Sequence, residues 1–401
     1  MQIAGAILPN HLAGIYKEMR GEIEAQIFNI DFKGLMKQAL EDVSLIEFNE
    51  TIVGVAPYKR NGQRLNYRNG FYKRSLDTVF GWIEGIKIPR PRYGGFVPRC
   101  IGGKYNRRQE SLNRVVTECF WRGISTRDVK KITEALCGVS LSAQTVSRLT
   151  TKWDDEVKRW HQRKLSDDYV YLMFDGIWIK NRTLSKKKRL ILVAYGIKCD
   201  GKREIIDYGF AGSESAENWI KFLTNLHYRG LEGAKLELIV TDGCRGLINA
   251  VDTVFPAVSH QLCWAHKMRN ILKSVKISDK KKVKAGLDPI FKEELKEKQA
   301  STLLQRWAKK WRPVYPKAVH CLEKDIDNLL LYFSCDPKHH KAIRTSNHIE
   351  RQFKEYRRRM RPMEIIPNKQ SADRILYAIT MRRNEKLEEY PLFNFTQNML
   401  H

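Results

Sequence analysis

The sequence predicts a mixed α/β fold: a mixed-sheet core carrying an all-helical insertion, preceded by a mostly helical region that contains a small β unit. Three observations carry this reading. Continuous apolar runs at 169–174 and 236–241 have the character of strands buried on both faces. Two further strand-like runs, 190–197 and 204–210, lie between them, and helix-like stretches follow at 214–231 and 245–254. Residues 272–342 then turn dense in Lys and Glu and lose every strand signal. With 401 residues, 42% of them hydrophobic, the chain is long enough for two or three domains with proper cores.

Charge bears on partners rather than on fold. Lys and Arg number 72 against 45 Asp and Glu, a formal net charge of +27, which favours a polyanion. No stretch approaches the ~18–20 apolar residues that span a bilayer, so no membrane partner is expected and nucleic acid leads. The run from Ile3 to Leu8 is short, has no basic region before it and meets Pro9, a poor signal peptide. Eight irregularly spaced cysteines read as reduced thiols of a cytosolic protein.

Residues 1–65 show mixed periodicity and are expected to be mostly helical. A small antiparallel β unit is expected over 66–103, from a loosely alternating run at 71–80, Gly81 and a second run at 83–88. It is closed by a rigid exit segment, Pro89-Arg90-Pro91-Arg92, and Arg90, Arg92 and Arg99 make this either a solvated basic loop or a phosphate-contacting arm. Residues 104–165 read as helical. Ser125 begins one helix, with Val129, Ile132 and Leu136 on one face and Gly138 as its stop. Ser142 caps the next, whose apolar stripe runs Val146, Leu149, Trp153, Val157, Trp160. The pair has the outline of a helix-turn-helix, and Gln144, Ser147, Arg148 and Lys152 are placed to reach phosphates and base edges.

The sheet core occupies 166–271, with a last short strand at 257–262, and resumes at 343–401 after the helical insertion of 272–342. Three strands from a meander followed by crossovers match a ribonuclease H-like core. A long basic helix is expected from Ala342 through Asn347, Glu350, Phe353 and Tyr356 to Arg361, ending near Pro362. Ser346, Asn347, Glu350, Lys354 and Arg357 would share its polar face and bring a carboxylate and two cations to a phosphate.

Two of the apolar strands each end on an aspartate followed by glycine, Asp175-Gly176 and Asp242-Gly243. Burying a carboxylate costs several kcal/mol unless a partner or metal compensates it. Paired carboxylates suit a hard cation such as Mg²⁺, which prefers oxygen ligands and keeps waters for substrate phosphates. Taken singly, each Asp also reads as an ordinary turn residue.

Four segments in order then carry a resemblance: Phe174-Asp175-Gly176-Ile177-Trp178-Ile179-Lys180, Thr241-Asp242-Gly243-Cys244-Arg245-Gly246-Leu247, Gln261-Leu262-Cys263-Trp264-Ala265-His266-Lys267-Met268-Arg269-Asn270 and Arg344-Thr345-Ser346-Asn347-His348-Ile349-Glu350-Arg351. Together with the Gly123-Ile124-Ser125-Thr126-Arg127-Asp128 opening, the chain resembles the Mutator-type transposases of bacterial insertion sequences, from about residue 65 to about residue 385. The resemblance implies a ribonuclease H-like fold with a helical insertion and an Asp-Asp-Glu metal site: Asp175, Asp242 and Glu350, holding two Mg²⁺ ions for which Mn²⁺ can substitute. It implies a DNA transposase that binds the ends of its element, cleaves phosphodiester bonds and joins the freed 3′-hydroxyls to target DNA. Double-stranded DNA is the expected partner, contacted also by Arg351, Lys354 and Arg357, with a homodimer or higher oligomer holding two ends in a cytoplasmic, nucleoid-associated complex. Cys263 and His266 match the family's Cys-x-x-His signature, and with Asn347 are expected to support the site. His266 is turned toward the carboxylates or the scissile phosphate and counted as catalytic. A zinc reading competes, with His339 and His340 as the second half of the ligand set. A non-catalytic sequence-specific DNA-binding regulator and a stand-alone structure-specific nuclease on the same fold are the alternative functions.

Overall fold

The computed structural model describes residues 2–3, 6–7, 31–54, 64–103, 105–122, 124–179, 189–292, 295–360, 368–392 and 395. The chain divides into two compact units, 1–120 with 126–149, and 121–125 with 150–401.

In the first unit, helix α1 (Phe32–Phe48) is capped by Asp31, whose side chain accepts from the Gly34 N–H. It packs beside an antiparallel hairpin of β1 (Arg68–Thr78) and β2 (Gly81–Pro91). Phe48, Val53, Leu76, Ile83, Ile86, Ile88, Phe96 and Ile101 close this small core. The expected exit segment is therefore partly strand: Pro89 pairs with Phe71 and Pro91 with Arg68. A two-stranded sheet leaves one edge of each strand unpaired, where a proline sacrifices no ladder bond. Arg90 and Arg92 are exposed there.

The helices that follow are α2 (Glu110–Trp121), α3 (Thr126–Cys137) and α4 (Ala143–Thr151). Gly138 ends α3 at φ +64°, its N–H bonding Glu134 O. The Ser142 hydroxyl accepts from Thr145 N at 3.1 Å and starts α4. Gly123 lies outside the described residues. The stripe expected from Val146 to Trp160 is two helices, not one, because α4 stops at Thr151 and α5 spans Asp154–Gln162. A tight turn closed by Trp153 N to Thr150 O separates them. The acidic run Asp154, Asp155, Glu156 then favours a fresh helix N-terminus. Lys152 sits in that turn rather than on the helix.

The second unit is built on five strands: β3 (Tyr169–Ile179), β4 (Arg189–Lys198), β5 (Arg203–Ala211), β6 (Leu238–Thr241) and β7 (Ser259–Leu262). Their spatial order is β5-β4-β3-β6-β7. The first three form an antiparallel meander, while β6 and β7 run parallel to β3. This mixed sheet is consistent with a ribonuclease H-like core. Helices α6 (Ala216–Tyr228) and α7 (Arg245–Val254) supply the crossovers. They bury Trp219, Leu223, Leu247 and Val251 against Leu172, Phe174 and Ile239.

Helix α8 (Trp264–Lys273) leaves the sheet and leads into the insertion, which is helical as expected: α9 (Lys280–Ala285), α10 (Glu297–Trp311) and α11 (Pro316–Glu323), with short turns. Two buried side chains pin it down, since Trp264 Nε1 and Gln261 Nε2 both donate to Leu329 O, at 2.7 and 2.9 Å. The chain returns through α12 (Asn347–Met360) and α13 (Lys369–Glu389). The basic helix thus begins at Asn347, not Ala342, with only a short turn at His340–Ile343 before it. Ser346 precedes the helix and is fully buried, so it leaves the polar face predicted for it. Asn347, Lys354 and Arg357 are exposed, and Arg361 and Pro362 lie outside the described residues. No helix among the described residues is long and apolar enough to cross a membrane.

An ionic knot binds α5 to the sheet edge and to α13. His161 Nδ1 lies 2.7 Å from Asp207 Oδ1 on β5, and its Nε2 lies 3.1 Å from Asp373 Oδ1 on α13. Arg229 also pairs with Asp207. Burial works to lower the His161 pKa, but hydrogen bonds to Asp207 and Asp373 and their charges outweigh it and raise it to about 9. The group binds its proton more tightly folded than unfolded. Its stabilisation is therefore complete below the ordinary histidine range and is lost as pH rises through about 9. The folding stability of the wild type should fall between pH 7 and 10, by up to about 2 kcal/mol relative to a His161→Gln variant, in equilibrium unfolding. Parallel pH curves for the two proteins would remove His161 from this role.

Candidate active site

Asp175 lies inside β3, opposite Val193 of β4, and the strand continues through Gly176 to Ile179. The expectation of a strand-end aspartate with a turning glycine is corrected here. Gly176 serves instead for closeness: a Cβ there would stand 3.1 Å from Leu190 and 3.3 Å from Glu214 Oε1. The neighbouring strand β6 does stop, at Thr241, in register with Phe174. Asp242 follows at the level of Asp175, and Gly243 turns the chain away at φ +88°. The Asp242 carboxylate accepts from Cys244 N at 2.9 Å.

Glu350 arrives from α12 and His266 from α8. His266 Nε2 lies 3.5 Å from Glu350 Oε1, and Arg269, one turn along α8, hydrogen-bonds the same carboxylate. One ligand-type atom each from Asp175, His266 and Glu350 lie within 4.8 Å of one another. Asp242 adds its charge to both Asp175 and His266. The structure thus brings Asp175, Asp242, Glu350 and His266 together.

Cys263 is the buried joint beneath them. Its N–H bonds Thr241 O, and its sulfur receives both the Ser346 N–H and the Ser346 hydroxyl, each at 3.2 Å. Burial raises its pKa, and the Ser346 contacts only partly oppose this. A neutral buried thiol is a packing and acceptor group. The Ser346 Oγ also lies 3.4 Å from His266 Nδ1.

The electrostatics are strained in one direction. Burial, then the Asp242 charge, hold the Asp175 carboxyl well above its ordinary pKa, with Glu350 and Glu214 adding to the effect. The single backbone bond from Gly176 opposes it weakly. His266 is held below the ordinary histidine range by burial and the nearby Arg269 charge. Lone pairs of two carboxylates and a neutral imidazole therefore converge, with Arg269 as the cation against them. The gathered donors of Asp175, Glu350 and His266, with the Asp242 charge beside them, could hold a divalent ion. Among the described residues, no other group of three or more Asp, Glu, His or Cys side chains is so gathered, and none joins Cys263 and His266 to His339 or His340. Those two are engaged elsewhere: His339 Nδ1 with the Tyr171 hydroxyl and His340 Nε2 with Cys335 O.

The residues expected to touch DNA do not gather with this cluster in one unit. Arg90, Arg92, Gln144, Ser147 and Arg148 belong to the first unit, while Lys152, Arg351, Lys354 and Arg357 belong to the second; all are exposed. Sequence reasoning missed Arg269 and Glu214. Arg269 was legible, three residues beyond His266 on one helix face. Glu214 was not: it reaches the site from the turn before α6, where Trp178 Nε1 donates to it at 2.8 Å.

Acidic side chains and a neutral imidazole gathered over the centre of a mixed sheet define a candidate cation site of an α/β enzyme. The family model described as "Transposase, Mutator family" matches residues 14–389, and the chain belongs to that family. It is 32% identical over 357 residues to the transposase for insertion sequence element ISRM5 of Rhizobium meliloti (strain 1021), covering 88% of each chain. It is 36% identical over 332 residues to the transposase for IS256 in transposon Tn4001 of Staphylococcus aureus, covering 81% of this chain and 83% of the relative. Among solved structures, the strand transfer complex of the Drosophila P element transposase gives a slight match: TM-score 0.41, 11% identity, 69% of this chain and 92% of that one.

The raised Asp175 pKa yields a stability prediction that needs no substrate. Metal-free protein should lose stability as pH rises above the ordinary carboxylate range, because the folded state holds the Asp175 proton more tightly than the unfolded state does. Asp175→Asn should flatten that dependence and melt higher than wild type at neutral pH. Added Mg²⁺ should raise the melting temperature of wild type but not of the variant. Equal Mg²⁺ shifts in both proteins would sink the assignment.

Proposed function

We propose that this chain is a DNA transposase of the Asp-Asp-Glu type. In this reading it binds the ends of its insertion sequence, cleaves phosphodiester bonds with Mg²⁺ held by Asp175, Asp242 and Glu350, and joins the freed 3′-hydroxyls to target DNA. The observation that carries it is the convergence of Asp175, His266 and Glu350 within 4.8 Å, beside Asp242, in a member of this family. Two bound Mg²⁺ ions would activate the attacking oxygen and stabilise the leaving oxygen of an in-line displacement.

The chain's own residues do the rest. Burial and mutual repulsion keep the carboxylates poised for a cation rather than for water alone. Neutral His266, with Nδ1 beside Ser346 and Nε2 beside Glu350, is placed to take part in proton transfer at the site. Arg269 and the exposed Arg351, Lys354 and Arg357 offer positive charge to a phosphate chain. Helices α3 and α4, with their glycine-ended turn, are read as a helix-turn-helix presenting Gln144, Ser147 and Arg148 to DNA, with Lys152 following and Arg90 and Arg92 as an accessory arm.

Asp175→Asn, Asp242→Asn and Glu350→Gln should each abolish cleavage of an element-end duplex while leaving end binding largely intact. His266→Ala should lower cleavage by ~10²-fold or more and barely move the melting temperature, and a chelator should not unfold the wild type. Wild-type-like cleavage by any carboxylate variant would falsify that residue's role, and chelator-induced melting would favour structural zinc. Joined products in the same assay distinguish a transposase from a nuclease that only cuts. Separately, Arg148→Ala with Lys152→Ala should weaken end binding and flatten its salt dependence. An unchanged salt slope would move recognition away from α4.

A further inference from the structure

Helix α10 carries a stripe that the chemistry above does not use. Lys298, Thr302, Arg306 and Lys310 recur every four residues on it. They form a line roughly 18 Å long at 1.5 Å per residue. Lys282 on α9 faces the stripe, and together they line a groove of about 850 Å³ whose described lining residues include no Asp or Glu. All four cations are exposed. Among the described residues none of them pairs with a carboxylate.

The floor of the groove is rigid. Trp307 is 3% exposed, and its Nε1 donates to Val283 O at 2.9 Å, which ties α10 to α9. Gly286 lets the two approach, since a Cβ there would stand 2.7 Å from the indole. At one end Lys310 Nζ lies 5.3 Å from the centre of the Trp311 ring.

We infer that this groove of the helical insertion is a sequence-independent contact for the phosphate backbone of DNA. Uncompensated cations held in line are repelled by one another and are stabilised by a polyanion of regular charge spacing. The packed floor fixes the spacing of the helix positions that carry them. Among the described lining residues, only Gln299 and Thr302 are uncharged polar side chains beside the cations, which suits backbone contact rather than recognition of sequence. The insertion leaves the core from α8 and returns into α12, the helices that carry His266 and Glu350, so DNA held here is held by a segment anchored at both ends to the catalytic cluster. This inference rests on the transposase reading only in its choice of DNA.

The test is binding of a labelled duplex of unrelated sequence to the full chain over a salt series. The triple variant Lys298→Gln, Arg306→Gln, Lys310→Gln should bind at least about tenfold more weakly at low salt, and its log–log salt slope should fall by about 2–3, close to 0.9 per lost phosphate contact. Its melting temperature should stay that of wild type. A control triple on other exposed lysines, Lys158→Gln, Lys164→Gln, Lys235→Gln, should lose much less. Equal losses in the two triples, an unchanged slope in the first, or displacement of the duplex by poly-glutamate at matched charge would each overturn the groove. Failure of the wild type to cut element ends, with the slope loss intact, would instead remove the catalytic reading and leave the groove standing.

Discussion

Cys263 is the point on which the candidate site depends. It follows β7, bonds through its N–H to the last residue of β6, and receives two hydrogen bonds at its sulfur from Ser346. One small, buried residue therefore joins the segment of Asp242 through its backbone N–H, the start of the helix of His266, and through its sulfur the start of the helix of Glu350. The adjacent bond from Trp264 N to Arg344 O repeats the link between the last two. A larger side chain would push α12 off the sheet, and a charged one would need a partner that this interior does not supply. The 80-odd residues between His266 and Glu350 can form an insertion because this junction fixes both ends.

The insertion itself is secured at its far end by buried amides and indoles rather than by apolar contact alone. Gln261 gives its amide hydrogens to Leu262 O and Leu329 O and takes the Tyr332 N–H at its carbonyl. Each of those bonds would be costly to leave unmade in a buried position. Such directional contacts set the registry of the insertion on β7, so that α8 and α12 meet over the sheet at one spacing.

The cost of this arrangement is concentrated at Asp175. A carboxyl 6% exposed, beside Asp242, Glu350 and Glu214, is a destabilising feature of the metal-free fold. Arg269, bonded to Glu350, offsets part of it. The large apolar contact of the sheet with α6 and α7 absorbs the remainder. The His161 knot works the opposite way, since its charges are matched and it stabilises the sheet edge. Strain and stabilisation are thus separated in space, strain at the middle of the sheet and compensation at its margin and on its covered face.

Much of the fold was legible because burial writes itself into local pattern. The apolar runs of β3 and β6, the alternating meander and the Lys- and Glu-rich insertion all follow from which side chains can leave water. The errors came where a local signal had two outcomes. Asp175-Gly176 read as the end of a strand, yet β4 and β5 extend the sheet past it and the strand continues. The stripe from Val146 to Trp160 read as one helix, yet an acidic run restarted the chain at Asp154. Ser346 read as a polar helix face, yet Cys263 supplied a buried acceptor for it. The sequence by itself determined the number and kind of elements and the presence of three suitable carboxylates, since those depend on composition and near-neighbour periodicity. The family resemblance already grouped Asp175, Asp242, Glu350 and His266; only the tertiary structure decided that Arg269 bonds Glu350 and that Glu214 joins the site. Those two contacts depend on strand order and on the Cys263 junction, which no local window records.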